Sequence, residues 1–503
     1  MTRRAKIVAT LGPASRGEEA LQALIGAGVD LFRFNLSHGT HEEHGEALGR
    51  VRRLADEARR HIPVMFDLMG PRYRLGQLPG SRHLAPGEVV RLGPPGDGVD
   101  LPVDDPEFLQ HVEPGERVLI DSGLVELRVE TKEGEHLTAR VVNAGEVKTR
   151  KGLNLPDSSL PFDISEKDRA DIAFAVREGA DYLAASYVGE AAHIEAVRAV
   201  VREAGGRIPI VAKLERATAM EHLEAITAAA DAVMVARGDL GVEVPLHTVP
   251  VLQKRIVTAG RTAGRPVIVA TQMLESMIEQ PRPTRAEATD VANAVFDGAD
   301  AVMLSGETAV GRYPVEAVET MGRIILEAEA YMREKQRDRG IVRPLAGVQA
   351  RRAFELDSAV AERVGAHVAP DVPDVVSAAA AYAADELGVQ CLVAFSQSGF
   401  TARLIARYRP TVPIYAFTWN PQVARQLQLV WGVRPVVVSG EIEHLDGLVQ
   451  AVDRRLQEIG AAAPGDRIII MMGHPYREHP LTNLMRVHQV RSNEEWKRLR
   501  SEG

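Results

Sequence analysis

Short, almost wholly apolar runs alternate with longer amphipathic stretches along most of this chain. KIVAT begins at Lys6, LFRFN at Leu31, VMFDL at Val64 and YLAAS at Tyr182. PIVAK follows at Pro209, AVMVA at Ala232, VIVA at Val267 and AVMLS at Ala301. Runs of this kind read as strands covered on both faces, the pattern of parallel sheets flanked by helices. The stretches between them, among them EEALQALIGAG, SEKDRADIAFAVREGA and HIEAVRAVVREAG, repeat apolar residues at helical spacing. Eight successive βα units predict a (β/α)8 barrel.

Two regions break that rhythm. Residues 72–157 are rich in Gly and Pro and carry period-two patches such as ERVLIDSGLVELRVE and TARVVNAGEV, which predict an inserted all-β domain. Setting it aside leaves 1–71 and 158–345 as the two parts of the barrel, about 260 residues against the roughly 250 typical of this fold. After Met332 the charged stretch EKQRDRGIVRP interrupts the pattern, and βα texture resumes from about residue 357. The runs CLVAF, PIYAFT, RPVVV and RIIIMMG there predict a smaller open α/β sheet, giving a third domain over 346–503.

Composition narrows the function classes. A length of 503 residues fits about three domains. Sixty basic against sixty-nine acidic side chains give a net charge of -9 with no block of like charge, which argues against a nucleic-acid partner. No stretch approaches the roughly 20 apolar residues of a membrane span, and the N-terminus MTRRAKIVATLG lacks the apolar core of a secretory signal, so a cytoplasmic protein without a membrane partner is expected. The single cysteine, Cys391, sits inside CLVAF, the setting of an inert buried thiol. Only nine of the sixty basic residues are lysines, so a lysine at the end of an apolar strand stands out.

In α/β barrels the loops after the strands converge on one mouth. Here those positions carry unusual residues: Arg33, Asn35, Ser37 and His38 after the second run, Asp67 at the end of the third, and Lys213 with Glu215 after the fifth. Gly238 and Asp239 follow the sixth, Thr271 the seventh, and Ser305 with Glu307 the eighth. Strand alternation puts Lys213 and Glu215 on one face. Mg2+ takes oxygen ligands, typically one or two carboxylates plus substrate oxygens and water, which makes Glu215 and Asp239 its candidate pair. A phosphoryl group in transfer spreads charge over its oxygens, where Arg33 and Lys213 would stabilise it. Taken singly, the same residues also fit structural roles: an ion pair for Lys213 and Glu215, a capping Asp in ARGDLG, a turn built by Asn35 and Ser37. His38, His41 and His44 have a spacing that invites a metal reading, but histidines at a helix start are commonly solvated.

Beyond such spacings, the motifs KIVATLGPAS, FRFNLSHGTHEEH, FDLMGPRYRLG, KGLNLP, SEKD, AKLER, MVARGDLGVE, the long block from Ala270 to Ala309, and TNLMRV occur in order along the chain. This sequence strongly resembles the pyruvate kinase family. The resemblance implies a barrel domain, an inserted small β-barrel acting as a mobile lid, a C-terminal regulatory α/β domain and a homotetramer. It implies phosphoryl transfer from phosphoenolpyruvate to ADP with Mg2+ or Mn2+ as cofactor. Carried over by position, Lys213 and Arg33 hold the transferring group, Glu215 and Asp239 the divalent metal, and Gly238, Asp239 and Thr271 the substrate carboxylate. Thr271 also lies on the proton path. Further carry-overs place His38, Arg74 and Lys151 at the nucleotide phosphates, and Ser396, Ser398, Gly399 and Thr401 of SQSGFTA in a loop for a phosphorylated effector.

The chain also departs from the family pattern. Where many members read D-T-K-G-P-E-I-R-T, it reads Asp67, Leu68, Met69, Gly70, Pro71, Arg72, Tyr73, Arg74, Leu75. Positions Asn35, Ser37, Asp67 and Leu68 surround potassium in members with Glu at the position of Arg72, whereas a basic residue there accompanies potassium independence. Arg72 therefore predicts activity without K+. Ser122, Gly189 and Val310 replace an Asp, an Arg and a Lys of the pattern. Two other readings remain open at this stage: a catalytically weak regulatory paralogue that binds a phosphorylated effector, and a metal-dependent 2-oxo acid lyase.

Overall fold

All eight apolar runs are strands of one closed barrel in the structure, a computed structural model that describes residues 3–71, 73–158, 161–338, 372–439, 444–474 and 481–502. Three strands open the chain: β1 (Lys6–Leu11), β2 (Leu31–Asn35) and β3 (Val64–Asp67). The insertion follows with β4 (Tyr73–Arg74), β5 (Arg82–Leu84), β6 (Val89–Gly93), β7 (Leu101–Pro102), β8 (Arg117–Ile120), β9 (Val125–Glu133), β10 (His136–Val141), β11 (Gly145–Val147) and β12 (Gly152–Asn154). The barrel then resumes with β13 (Tyr182–Ala185), β14 (Ile210–Leu214), β15 (Ala232–Ala236), β16 (Val267–Ala270) and β17 (Ala301–Leu304). Its order, β1-β17-β16-β15-β14-β13-β3-β2, returns to its start with every pairing parallel.

Local chemistry sets the helix limits. Thr40 and Glu43 form a reciprocal capping box on helix His41–Glu57, as do Thr284 and Glu287 on helix Arg285–Asp297, so amides of the first turn are satisfied by side chains. The second of these helices stops at Gly298, whose φ of 97° favours glycine. Val8, Leu31, Met65, Val211, Met234, Ile268 and Met303 fill the barrel interior as one packed cluster, and Leu429 of the C-terminal domain joins it.

The strand-start end of the barrel has its own repeat. Asp30, Asp181, Asp231 and Asp300 immediately precede β2, β13, β15 and β17. They accept the backbone N–H groups of Ile7, Val64, Ile210 and Val267, on the neighbouring strands, at 2.8–3.0 Å. Each also pairs with an arginine: Arg3, Arg52, Arg198 and Arg409 in turn. These charge-assisted bonds tie strand starts together at the end opposite the mouth.

Residues of the insertion form a seven-stranded sheet, β4-β12-β8-β9-β10-β6-β7, beside a two-stranded ribbon of β5 and β11. A bridge between Leu75 and Val103 joins the two edges of the larger sheet, which wraps a core of its own built from Leu92, Val118, Leu127 and Leu137. In the C-terminal part, β18 (Cys391–Phe395), β19 (Ile414–Thr418), β20 (Val433–Val437) and β21 (Arg467–Met472) are parallel. A fifth strand, β22 (Leu484–Gln489), adds an antiparallel edge that the apolar runs do not reveal, because only His488 of its six side chains is buried. Helix Pro314–Asp338 continues through the charged EKQRD. The expected boundary at 345/346 and the onset near residue 357 lie outside the described residues. Among the described residues no helix is long and apolar enough to cross a membrane. Burial pushes the Cys391 thiol up to about 12, which keeps it protonated.

The C-terminal domain is fastened to the strand-start end. Arg425 pairs with Asp181 at 2.8 Å, Tyr182 donates its hydroxyl to the Gln426 carbonyl at 2.8 Å, and the guanidinium groups of Arg4 and Arg409 both lie over the Trp431 ring. Buried Lys6 donates to the Val433 carbonyl at 2.8 Å.

Burial holds the Lys6 ammonium at about 8, below its ordinary 10.5, although Asp30 works the other way. The folded value lies under the unfolded one, so charged Lys6 costs stability at every pH below about 8. That cost shrinks as pH rises from about 8 to 10.5 and is absent above it. At about 1.4 kcal/mol per unit it amounts to roughly 3 kcal/mol, offset by about 1 kcal/mol from the bond to Val433. Lys6→Met is therefore more stable than the parent near neutral pH and loses that advantage as pH approaches 10.5. Denaturant midpoints across this range check it; a difference that does not change with pH contradicts it.

Candidate active site

Five strand ends meet around one lysine. Lys213 is the penultimate residue of β14 and Glu215 follows the strand, so alternation turns both inward. Lys213 Nζ lies 2.8 Å from Glu215 Oε1, 3.2 Å from Asp67 Oδ1 at the end of β3, and donates to Ser186 Oγ at 2.6 Å just beyond β13. From β2, Arg33 Nε donates to Asp67 Oδ2 at 2.6 Å, while its Nη1 reaches Thr10 Oγ1 of β1 at 3.1 Å. Ser186 donates its own proton to the Leu68 carbonyl at 2.8 Å.

Charges in this cluster govern one another. Burial opposes ionisation of Asp67, but Lys213 and Arg33 outweigh it and hold the carboxyl below the usual carboxylate range. Burial likewise opposes the Lys213 ammonium, and Asp67 and Glu215 more than compensate, so it stays protonated. Glu215 is pushed up to about 7, chiefly by burial, with Lys213 lowering it and Asp239 raising it further. Its Oε2 accepts the Tyr187 N–H at 2.7 Å, a contact made with Tyr187 at a φ of 57°.

A second group forms where β15 and β16 end. Thr271 has a φ of 67°, a costly conformation for a β-branched residue. Arg237 holds it there by donating to the Thr271 carbonyl at 2.6 Å while paired with Asp290 at 2.6 Å. The Thr271 hydroxyl donates to the Ala270 carbonyl at 2.6 Å and accepts the Gly238 N–H at 2.7 Å. A Cβ on Gly238 would come within 3.3 Å of that hydroxyl oxygen, so glycine permits the close approach.

Between this mouth and the insertion lies a cavity of about 180 Å³ lined by Arg74, Asp121, Ser122, Asn154, Tyr187, Arg216, Asp239 and Glu243 among others. Asn154 of the insertion donates to Glu243 at 3.2 Å. Arg74 donates to the Arg150 carbonyl at 3.1 Å, and Lys151 pairs with Asp121 at 2.7 Å. Arg216, which the residue pattern did not single out, is nine-tenths buried in this wall. Its signal was a second basic residue directly after Glu215 in AKLER.

Other expected residues lie apart from the cluster. His38 is exposed and its carbonyl is bonded to His44 Nε2 at 2.8 Å, while His41 bonds Asp171 at 2.7 Å and stacks on Phe174. No group of three metal-ligating side chains occurs among the described residues. Asn35 Oδ1 accepts the Ser37 N–H at 3.1 Å, a local turn. Leu68 offers its carbonyl to Ser186, and Arg72 lies outside the described residues. Glu307 is spent on the N–H groups of Leu274 and Ser305. In the C-terminal loop Ser398 is exposed, Gly399 has a φ of 77°, Ser396 is buried, and Thr401 is buried against the Thr482 hydroxyl at 2.8 Å. Of the departures, Ser122 has a left-handed φ of 57°, Gly189 lies where a Cβ would be 3.1 Å from Thr218 Oγ1, and Val310 is exposed.

The donor set suits a hard divalent cation. The Asp239 carboxylate makes no hydrogen bond or ion pair with the described residues, it lines the cavity, and its charge raises both Glu215 and Glu243. With Glu215, whose charge is balanced only by Lys213 among the described residues, it makes the one or two carboxylates that are the usual protein share of a Mg2+ site.

Comparison with known proteins fits this geometry. The family profile described as "Pyruvate kinase, barrel domain" matches residues 2–318, and "Pyruvate kinase, alpha/beta domain" matches residues 374–488. A pyruvate kinase of Mycobacterium tuberculosis is 42% identical over 495 residues, 97% of this chain and 99% of that protein. One from Clostridium acetobutylicum is 37% identical over 97% of this chain and 99% of its own length. The crystal structure of a pyruvate kinase from Cryptosporidium parvum superposes with a TM-score of 0.85 at 32% identity, covering 97% of this chain and 96% of that one.

Because Asp67 lies between two cations, Asp67→Asn leaves Arg33 beside Lys213 with their shared counter-charge gone. A loss of about 3–5 kcal/mol in denaturant unfolding is expected, the cost of breaking a buried ion pair from one side. Unchanged stability contradicts the pairing.

Proposed function

The chain belongs to the pyruvate kinase family, and on that premise we propose how its barrel mouth carries a phosphoryl group from phosphoenolpyruvate to ADP. One observation carries the reading: two cations at the mouth, Lys213 and Arg33, share one buried carboxylate, Asp67. In the reaction an oxygen of the ADP β-phosphate forms a bond to phosphorus, and the bond from phosphorus to the enol oxygen breaks. The resulting enolate takes a proton at its methylene carbon to give pyruvate. Charge grows on the phosphoryl oxygens and the enolate oxygen, where fixed cations in a poorly solvated site stabilise it without reorganisation.

Lys213 Nζ and the Arg33 guanidinium are assigned to those oxygens. Gly238, Asp239 and the Thr271 hydroxyl are assigned to the substrate carboxylate, with Thr271 on the proton path. Arg74, Lys151 and His38 are assigned to the nucleotide phosphates, so exposed His38 joins the site only with nucleotide present. Glu215 and Asp239 would hold Mg2+ or Mn2+, which when bound supplies Lewis-acid neutralisation of the phosphate oxygens. Contact between the insertion and the short helix Arg237–Glu243 through Asn154 and Glu243 supports a lid that closes over the reactants.

Potassium independence belongs to the same proposal. Both oxygens of Asp67 already face cations, and the basic residue type at position 72 supplies a tethered charge in place of a recruited ion. The phosphorylated effector at the loop of Ser396, Ser398, Gly399 and Thr401, the homotetramer and the cytoplasmic location complete the proposal.

Pyruvate formation from phosphoenolpyruvate with ADP and Mg2+ is expected at similar rates in potassium and tetramethylammonium buffers. Lys213→Ala should lower kcat by roughly 10²-fold or more, as for a lost electrostatic stabiliser. Strict dependence on potassium contradicts the assignment of Arg72. Full turnover by the variant contradicts that of Lys213.

A further inference from the structure

Arg216 stands where strand alternation stops serving the lysine cluster. It follows Glu215, precedes the short turn Ala217–Met220, and lines the cavity between mouth and insertion. Only 9% of its surface is exposed, yet the sole hydrogen bond of its side chain among the described residues is a long one, from Nη2 to the Ser158 carbonyl at 3.3 Å. No carboxylate among the described residues comes within ion-pair distance. Glu243, on the same wall, spends Oε1 on Asn154 at 3.2 Å. A guanidinium carries five N–H donors, so most of those on Arg216 have no protein acceptor.

A buried cation without a partner is costly unless something else supplies the counter-charge. The cavity offers about 180 Å³, against the roughly 10–15 Å³ that one water requires. From these observations we infer that Arg216 is a phosphoanion-binding residue of the cleft, its planar fork donating to two oxygens of a phosphate from one of the reactants. The fork suits that geometry better than a point charge does. This inference rests on the cleft being the phosphoryl-transfer site and adds a residue to it.

The competing role is structural. Through Ser158, whose hydroxyl donates to Glu116 at 2.6 Å, Arg216 also touches the segment that returns the chain from the insertion to the barrel. Glutamine retains an N–H for that carbonyl and removes the charge, so Arg216→Gln separates the two roles. Steady-state KM is measured for phosphoenolpyruvate and for ADP separately in the full-length parent, Arg216→Gln and Arg216→Lys, with unfolding midpoints beside them. Expected is a rise of about tenfold or more in KM for one reactant in Arg216→Gln, kcat within a few-fold, an unchanged midpoint, and a smaller rise in Arg216→Lys. Whichever KM responds identifies the source of the phosphate. Parental KM values for both reactants in Arg216→Gln, or a fall in kcat or midpoint alone, overturn the inference. If Arg216→Gln does not fold, Arg216→Lys decides: a raised KM supports phosphate binding and parental values overturn it. A parent that forms no pyruvate would instead overturn the reading of the cleft itself.

Discussion

A carboxylate with 1% exposure, Asp67, lies between a guanidinium and an ammonium, and the mouth of the barrel is organised around that arrangement. Two cations held close together repel one another and lose hydration, a cost that the shared anion offsets for both. Once it is in place, Arg33 also donates to Thr10, and Lys213 is steadied by Ser186 and Glu215. The result is positive charge fixed before any phosphate arrives, the condition under which electrostatic stabilisation of a transition state is most effective. On the other side of Lys213 the balance reverses. Glu215 and Asp239 leave negative charge that the described side chains do not fully neutralise, which is where a divalent cation belongs.

The two ends of the barrel divide the labour. At the strand starts the four aspartates are consumed by backbone N–H groups and arginines, and two of them, Asp181 and Asp300, also take contacts from the C-terminal domain. Those bonds fix strand register and leave little for chemistry. At the strand ends the side chains bond mostly to one another, with donors and acceptors to spare for ligands. Strand β13 spans both: Tyr182 bonds the C-terminal domain at its start, and Ser186 and Tyr187 hold Lys213 and Glu215 just past its end.

Much of this was legible in the chain because burial on both faces leaves continuous apolar runs, and all eight barrel strands announced themselves that way. Lys213, Glu215, Asp67 and Arg33 stood out as charged residues at the ends of such runs. Strand β22 did not, because an edge strand with one buried side chain has no apolar signature. The aspartate repeat was present in GVDLF, GADYL, AADAV and GADAV, but a single residue before each alternate strand is too sparse to read without knowing which strands pair. The strained Thr271, its clamp by Arg237, and the cavity wall formed by Arg216 depend on φ angles and on distances across the fold that residue types do not encode. Glu307 ended a run as promisingly as Glu215 did, and its bonds to two backbone N–H groups show how a strand-end carboxylate serves the loop instead.

The most direct test of the central arrangement is a double-mutant cycle on kcat/KM for phosphoenolpyruvate, using Arg33→Gln, Lys213→Gln and the pair. Groups that act as one unit through a common carboxylate lose less together than the sum of their separate losses. A combined loss clearly smaller than that sum is the predicted result. Full additivity would mean that Arg33 and Lys213 act independently and that Asp67 does not couple them.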